Sequence, residues 1–138
     1  MIILGLAGPA GAGKDTVADY LAEACGFVKF AFSDALYAEV QQAFGLEDQT
    51  LLRDRATKDT EQEVLTLDLC KDPDFIVAAA QATGGIVHDP NPPRQILQWW
   101  CTEYRRAQDP DYWIKQAEKF VLGVRDAAPY PERAPQFF

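Results

Sequence analysis

Near the start of the chain, Gly8-x-x-x-x-Gly13-Lys14 follows a short apolar run and precedes residues with helical spacing. Few patterns constrain a fold as tightly. The glycines let the backbone curl so that several N–H groups face one anion. A helix starting at Lys14 would turn its positive end to the same anion. Lys14 itself adds a mobile charge able to follow β- and γ-phosphates. Gly8, Gly11, Ala12, Gly13, Lys14, Asp15 and Thr16 therefore read as the phosphate-binding loop of a nucleoside-triphosphate enzyme. Ile2, Ile3, Leu4 and Leu6 read as the short buried strand before it. Where Ser or Thr commonly gives a hydroxyl to magnesium, this chain has Asp15, with Thr16 next. A carboxylate can hold a hydrated magnesium ion, although its charge repels phosphate.

The rest of the composition narrows the class. A length of 138 residues gives one domain with one core, and a hydrophobic share of 48% makes it globular. The net charge of −8 argues against general nucleic-acid binding, which needs a basic face. Cys25, Cys70 and Cys101 are irregularly spaced, suggest neither a disulfide framework nor a zinc site, and fit a reducing cytoplasm. Met1–Leu6 is too short for a membrane span and lacks the basic start of a signal peptide.

Residues 14–25 have helical spacing, closed by Gly26. Phe27–Phe32 reads as a second strand buried on both faces, which with the first implies a right-handed βαβ unit. Ser33 then reads as the N-cap of a helix with Leu36, Val40, Ala43 and Phe44 inward, closed by Gly45. Ser33 and Asp34 lie at the carboxyl end of the second strand, where ligands of open α/β sheets bind. They stand equally as substrate contacts and as helix caps.

Residues 47–71 are highly charged and read mainly as a solvated face or mobile loop, although Arg53, Arg55 and Lys58 could reach phosphate. Thr60-x-x-Glu63 fits a capping box. Asp72-Pro73 starts a helix through Ala82, broken by Thr83-Gly-Gly85. His88, the lone histidine, lies in a Pro-rich loop as a bystander without a catalytic partner.

Residues 93–106 read as a helix. At 100° per residue, Arg94, Gln98, Thr102 and Arg105 fall within an arc of about 80°, beside an inward face of Leu97, Trp100, Cys101 and Tyr104. An Arg and a Gln one turn apart suit a ligand with a phosphate and a base. The pattern alone balances that reading against an ordinary amphipathic surface. Asp109-Pro110 starts a last helix with Trp113, Ala117, Phe120 and Val121 inward, ended by Gly123. Residues 127–135 read as loop.

Four segments together resemble a family: Gly8–Asp19, residues 30–36 (Phe-Ala-Phe-Ser-Asp-Ala-Leu), residues 93–103 (Pro-Arg-x-x-Leu-Gln-x-x-x-Thr-Glu) and residues 109–113 (Asp-x-x-Tyr-Trp). They are similar to the phage-type deoxynucleoside monophosphate kinases, while residues 46–90 are not clearly matched. The resemblance implies an α/β fold, a P-loop nucleoside monophosphate kinase-like parallel sheet with surrounding helices, as one domain over residues 1–138. It implies γ-phosphoryl transfer from ATP, with Mg2+, to a deoxynucleoside 5′-monophosphate in the cytoplasm. It assigns Lys14, Asp15 and Thr16 to the ATP and magnesium site, with Asp15 toward the metal. It matches Arg94 and Gln98 to positions facing the acceptor; Ser33, Asp34 and Thr102 join them as candidate acceptor contacts by position, and Lys14, Arg94 and Arg105 are the candidates for charge neutralisation during transfer. Closure of a charged segment, either Arg105–Arg106 or residues 53–58, would exclude water.

Members of that family continue past the Trp-containing helix into a loop and a strand bearing Asp-x-Arg. Val124-Arg125-Asp126 lies before the loop and reads as a helix end. The expectation is therefore that Phe137-Phe138 begins a strand beside the first one, and that these residues are an N-terminal portion of a longer domain. Small nucleotides are the expected partners, with a homodimer as the candidate assembly and neither nucleic acid nor membrane expected. Two other readings stay open: a P-loop kinase for another small acceptor, such as a coenzyme precursor, and a nucleotide-binding fragment without turnover.

Overall fold

A computed structural model describes residues 1–127 and 136–137. Helices dominate: α1 (Lys14–Cys25), α2 (Phe32–Phe44), α3 (Thr50–Arg53), α4 (Pro73–Thr83), α5 (Pro93–Gln98) and α6 (Tyr112–Ala127). Two strands, β1 (Phe27–Val28) and β2 (Gln136–Phe137), pair in parallel, with Phe27 opposite Gln136 and Val28 opposite Phe137. Contacts divide the chain into two compact units. One holds residues 1–31 and 116–138, the other residues 32–115.

The expected parallel sheet wrapped by helices is not present among the described residues. The β1–β2 ladder is the whole of it. A buried central strand needs a hydrogen-bonded neighbour on each edge and cover on both faces. Among the described residues, 2–6 form no strand: Ile3 alone is marked by a bridge, and Ile2, Ile3, Leu4 and Leu6 are 53%, 60%, 38% and 38% exposed. The second expected strand is two residues long: residues 29–31 belong to no regular element, and α2 takes Phe32. Ser33 thus lies inside α2 instead of capping it. A strand does occur at Phe137, but it pairs with β1. Phe138 and the loop expected over residues 128–135 lie outside the described residues.

In the first unit, α1 ends on Gly26, whose left-handed backbone (φ 71°) suits a residue without a side chain. Phe30 stacks on Phe120 with ring centroids 4.9 Å apart. Helix α6 continues through Gly123 to Ala127, past its expected end, and a side chain at Gly123 would meet open space.

The second unit holds a core built from the helices and the charged segment between them. Val40, Leu52, Leu65, Leu67, Phe75 and Ile96 are fully buried. Three of these come from residues 47–71, which folds as α3 and two short 3-10 turns, Glu63–Leu65 and Leu67–Leu69. Thr60 and Glu63 form no capping box there, since Gln62 precedes the first turn without a side-chain cap. Helix α4 starts as expected: Asp72 accepts from the N–H groups of Asp74 and Phe75 at 3.1 Å, a cap worth ~1 kcal/mol. Phe75 anchors an aromatic cluster, with its ring centroid 4.5 Å from Trp100 and 5.7 Å from Tyr104.

Helix α5 passes directly into a π-helical segment, Trp99–Arg106, in which the Ala107 N–H reaches back to Thr102. Such i→i+5 bonding widens the helix and delays each following side chain relative to α-helical phase. Trp99, Trp100 and Tyr104 all become buried, and the polar stripe expected along one face is divided.

Candidate functional site

The glycine loop folds as its residue types require. Gly11 (φ 78°) and Gly13 (φ 83°) are left-handed, a backbone state costly for other residues. The Ala12 N–H closes a turn onto Pro9 O at 3.2 Å. Gly13 introduces α1 without any side-chain cap, so the first-turn N–H groups keep their donor capacity for another acceptor. The Lys14 ammonium folds back over the loop, donating to Gly8 O at 2.7 Å and Pro9 O at 2.8 Å. An ammonium has three N–H bonds, so these contacts aim the charge and leave a donor over.

Asp15 and Thr16 follow on the exposed side of the first turn of α1. The Asp15 side chain is 86% exposed, with the Lys29 ammonium 3.6 Å away. Lys29 bonds more closely to Asp19, at 2.7 Å. That hydrogen bond is the main reason its ammonium holds its proton more tightly than usual. Among the described residues no group of three or more His, Cys, Asp and Glu side chains could hold a metal. The donors here, one carboxylate and one hydroxyl, suit a magnesium ion that takes its other ligands from phosphate and water.

In the second unit, Arg94 is exposed and forms a two-point pair with Asp59, Nε to Oδ1 at 2.5 Å and Nη2 to Oδ2 at 3.1 Å. The Arg94 N–H also donates to Lys58 O at 3.0 Å. Asp59 is consequently held below the usual carboxylate range, chiefly by its hydrogen bonds from Arg94. Gln98 and Thr102 are exposed on the same helix. Asp34 pairs with Arg53 at 3.1 Å. The Arg53 guanidinium lies over the Tyr37 ring, 4.2 Å from its centroid, and the Lys58 ammonium donates to the Tyr37 hydroxyl at 3.2 Å. Asp34 and Arg94, far apart in sequence, thus belong to one charged cluster around Tyr37. Ser33 is exposed at the start of α2.

Arg105 has a different setting. Its Nε donates to Glu39 Oε2 at 2.8 Å. It lies 4.5 Å from the Tyr104 ring and 4.8 Å from the Tyr112 ring. Glu39 also accepts from Trp100 Nε1 at 2.7 Å and from the Tyr112 hydroxyl. Burial and that bond to Glu39 push the Tyr112 phenol up to about 12. Arg105 is therefore removed from the row of Arg94, Gln98 and Thr102 and joined to α2. An open cleft of about 270 Å³ lies beside this pair, lined by Glu39, Gln42, Ala43, Lys71, Asp72, Trp100 and Arg105.

Sequence reasoning passed over Glu39, Tyr37 and Asp59. Glu39 carried a signal, being one turn from Leu36 and from Ala43 on the inward side of α2. His88, expected to stand alone, has its Nδ1 2.9 Å from Asp68 Oδ2 on the surface. No helix among the described residues is long and apolar enough to cross a membrane.

No protein-family model matches the chain, and no solved structure does. A protein of Acanthamoeba polyphaga mimivirus named "Putative deoxynucleotide monophosphate kinase" is 35% identical over 60 residues, which is 44% of this chain and 31% of that protein's length. The similarity is at the level of a kinase-like protein. The chain spans about a third of the relative it matches.

Proposed function

We propose that the chain carries the nucleotide sites of an ATP-dependent kinase acting on a deoxynucleoside 5′-monophosphate. One observation bears most of the weight: two left-handed glycines lead into an uncapped twelve-residue helix, with the Lys14 ammonium folded over the loop. That is a seat for a polyphosphate, since free N–H groups and a positive helix end face one region and a mobile cation stands over it. The named kinase relative supports the same reading.

In this reading the N–H groups of Gly11 to Thr16 and the Lys14 ammonium hold the β- and γ-phosphates of ATP. Asp15 and Thr16 would hold Mg2+, which when bound neutralises developing charge on the transferring group. Arg94, Gln98 and Thr102 present the acceptor, Arg94 to its phosphate and Gln98 to its base. Transfer needs no covalent enzyme intermediate; alignment and charge neutralisation supply the acceleration. All three cysteines are free, as suits a reducing cytoplasm. The test is a coupled ADP-release assay with ATP, Mg2+ and each of the four deoxynucleoside monophosphates. ADP release that depends on at least one of them supports the proposal. ATP binding without acceptor-dependent release overturns it.

A further inference from the structure

The chain has 13 basic against 21 acidic residues, yet it places Arg53, Lys58 and Arg94 around one phenol. They come from three separate places: α3, the loop after it, and the start of α5. Arg53 is fixed over the Tyr37 ring at 4.2 Å, and Lys58 by its hydrogen bond to the Tyr37 hydroxyl at 3.2 Å. Arg94 is held by its backbone bond to Lys58 and its fork onto Asp59. Two carboxylates, Asp34 on Arg53 and Asp59 on Arg94, neutralise part of this charge. One positive charge remains in excess.

The Asp59 pair has the geometry by which a guanidinium grips a phosphate: two parallel N–H groups on two oxygens of one planar or tetrahedral anion. Both partners are well exposed, with side chains 60% and 69% accessible. An exposed ion pair contributes little net stability, so an anion of higher charge can exchange for the carboxylate.

We propose that Tyr37, Arg53, Lys58 and Arg94 form the seat of a phosphomonoester dianion, and that Asp59 is a resident carboxylate which this ligand displaces from Arg94. Tyr37 acts as a positioning residue, its ring and hydroxyl keeping two cations in place. The proposal rests on the acceptor reading of Arg94 given above, and adds Arg53, Lys58, Tyr37 and the exchange at Asp59 to it. Acceptor affinity is then a competition between an internal carboxylate and an external phosphate.

The experiment is calorimetric titration of the full chain with a deoxynucleoside 5′-monophosphate, with the same deoxynucleoside lacking phosphate, and with inorganic phosphate as competitor. Asp59→Asn should tighten monophosphate binding about two- to fivefold, the scale of an exposed ion pair, without changing binding of the deoxynucleoside. Arg53→Gln and Lys58→Gln should each weaken monophosphate binding, by roughly fivefold or more, and leave ATP affinity unchanged. Inorganic phosphate should compete with the monophosphate. Unchanged or weaker monophosphate binding in Asp59→Asn overturns the exchange. Should that variant fail to fold, Lys58→Gln decides, and unchanged monophosphate affinity there overturns the seat. The outcomes separate from those of the kinase reading. This binding pattern without phosphoryl transfer upholds the seat and removes the kinase. Transfer with these variants inert does the reverse.

Discussion

Glu39 and Arg105 are joined at 2.8 Å, and through Glu39 the indole of Trp100 is fixed to the same carboxylate at 2.7 Å. Both charged side chains are about four-fifths buried, at 21% and 22% exposure. This pair ties α2 to the π-helical segment. Glu39→Ala would leave an indole N–H, a guanidinium and the Tyr112 hydroxyl without their acceptor, and should cost ~2–4 kcal/mol. A lower urea midpoint with unchanged slope is the expected result. The double variant Glu39→Leu with Arg105→Leu should recover part of that loss, because no charge is then left unpaired. Arg105→Gln separates a structural from a catalytic role: transfer falling far beyond the loss of folded protein would place this guanidinium at the reacting phosphate.

Alkaline pH should loosen the second unit. Burial and the hydrogen bond to Asp72 push the Tyr104 phenol up to about 12, and burial and Glu39 do the same for Tyr112. In the unfolded chain both would titrate near pH 10. A folded value above the unfolded one means stability fully present below about pH 10 and lost progressively as pH rises through about 12. Tyrosinate absorbance followed with circular dichroism should show these phenols ionising together with loss of helix. Early ionisation with helix intact would contradict the two hydrogen bonds.

Asp72 has two tasks, capping α4 and accepting from the Tyr104 hydroxyl at 2.8 Å. Asp72→Ala removes both and should cost ~1–2 kcal/mol. Asp72→Asn keeps the cap's acceptor oxygen and should lose less. Thermal midpoints of the two variants give the comparison.

Lys14→Ala removes the ammonium over the glycine loop. Its backbone contacts are those of an exposed side chain, so the folded state should persist. Phosphoryl transfer should drop by roughly two to four orders of magnitude. Turnover within a factor of three of the unmodified chain would exclude Lys14 from the donor site.

Arg94→Lys keeps the charge but loses the planar fork that engages two oxygens at once. The Michaelis constant for the monophosphate should rise while that for ATP stays level. The opposite split would exchange the two site assignments.

Local signals in this sequence were legible where they depend on neighbours in the chain. Gly13 and Gly26 bracket α1, Asp72-Pro73 opens α4, and Leu97, Trp100 and Tyr104 are inward, all as spacing and capping rules require. The strands were legible only in part: β1 falls at the start of the expected Phe27–Phe32 and β2 includes Phe137, but the sheet they were to belong to is not there among the described residues. Ile2–Leu6 and Phe27–Phe32 have apolar runs that suit a buried strand, but a strand exists only through partners, and composition does not show whether partners are there. The polar cluster was half legible. Asp34 and Arg94 stood out by their positions, whereas Asp59 lies in a charge-rich stretch where nothing distinguishes it from Asp54 until the chain folds. Arg105 was placed with Arg94 by an angle of 100° per residue, a rule that does not hold between Trp99 and Arg106.

That change of pitch acts like one surplus residue carried within a helix. Any comparison that counts positions at constant spacing across Trp99–Arg106 will fall out of step beyond it, and a relative with an ordinary helix would align only with a one-residue gap. Deleting Cys101 should restore uniform winding. Everything downstream would keep its place round the axis, with Arg105 still turned toward Glu39 and away from Arg94 and Gln98. Uniform α-winding with every residue kept would instead carry Arg105 round to the side of Arg94 and Gln98, so the surplus residue is what holds this guanidinium on Glu39 as a strut of the second unit.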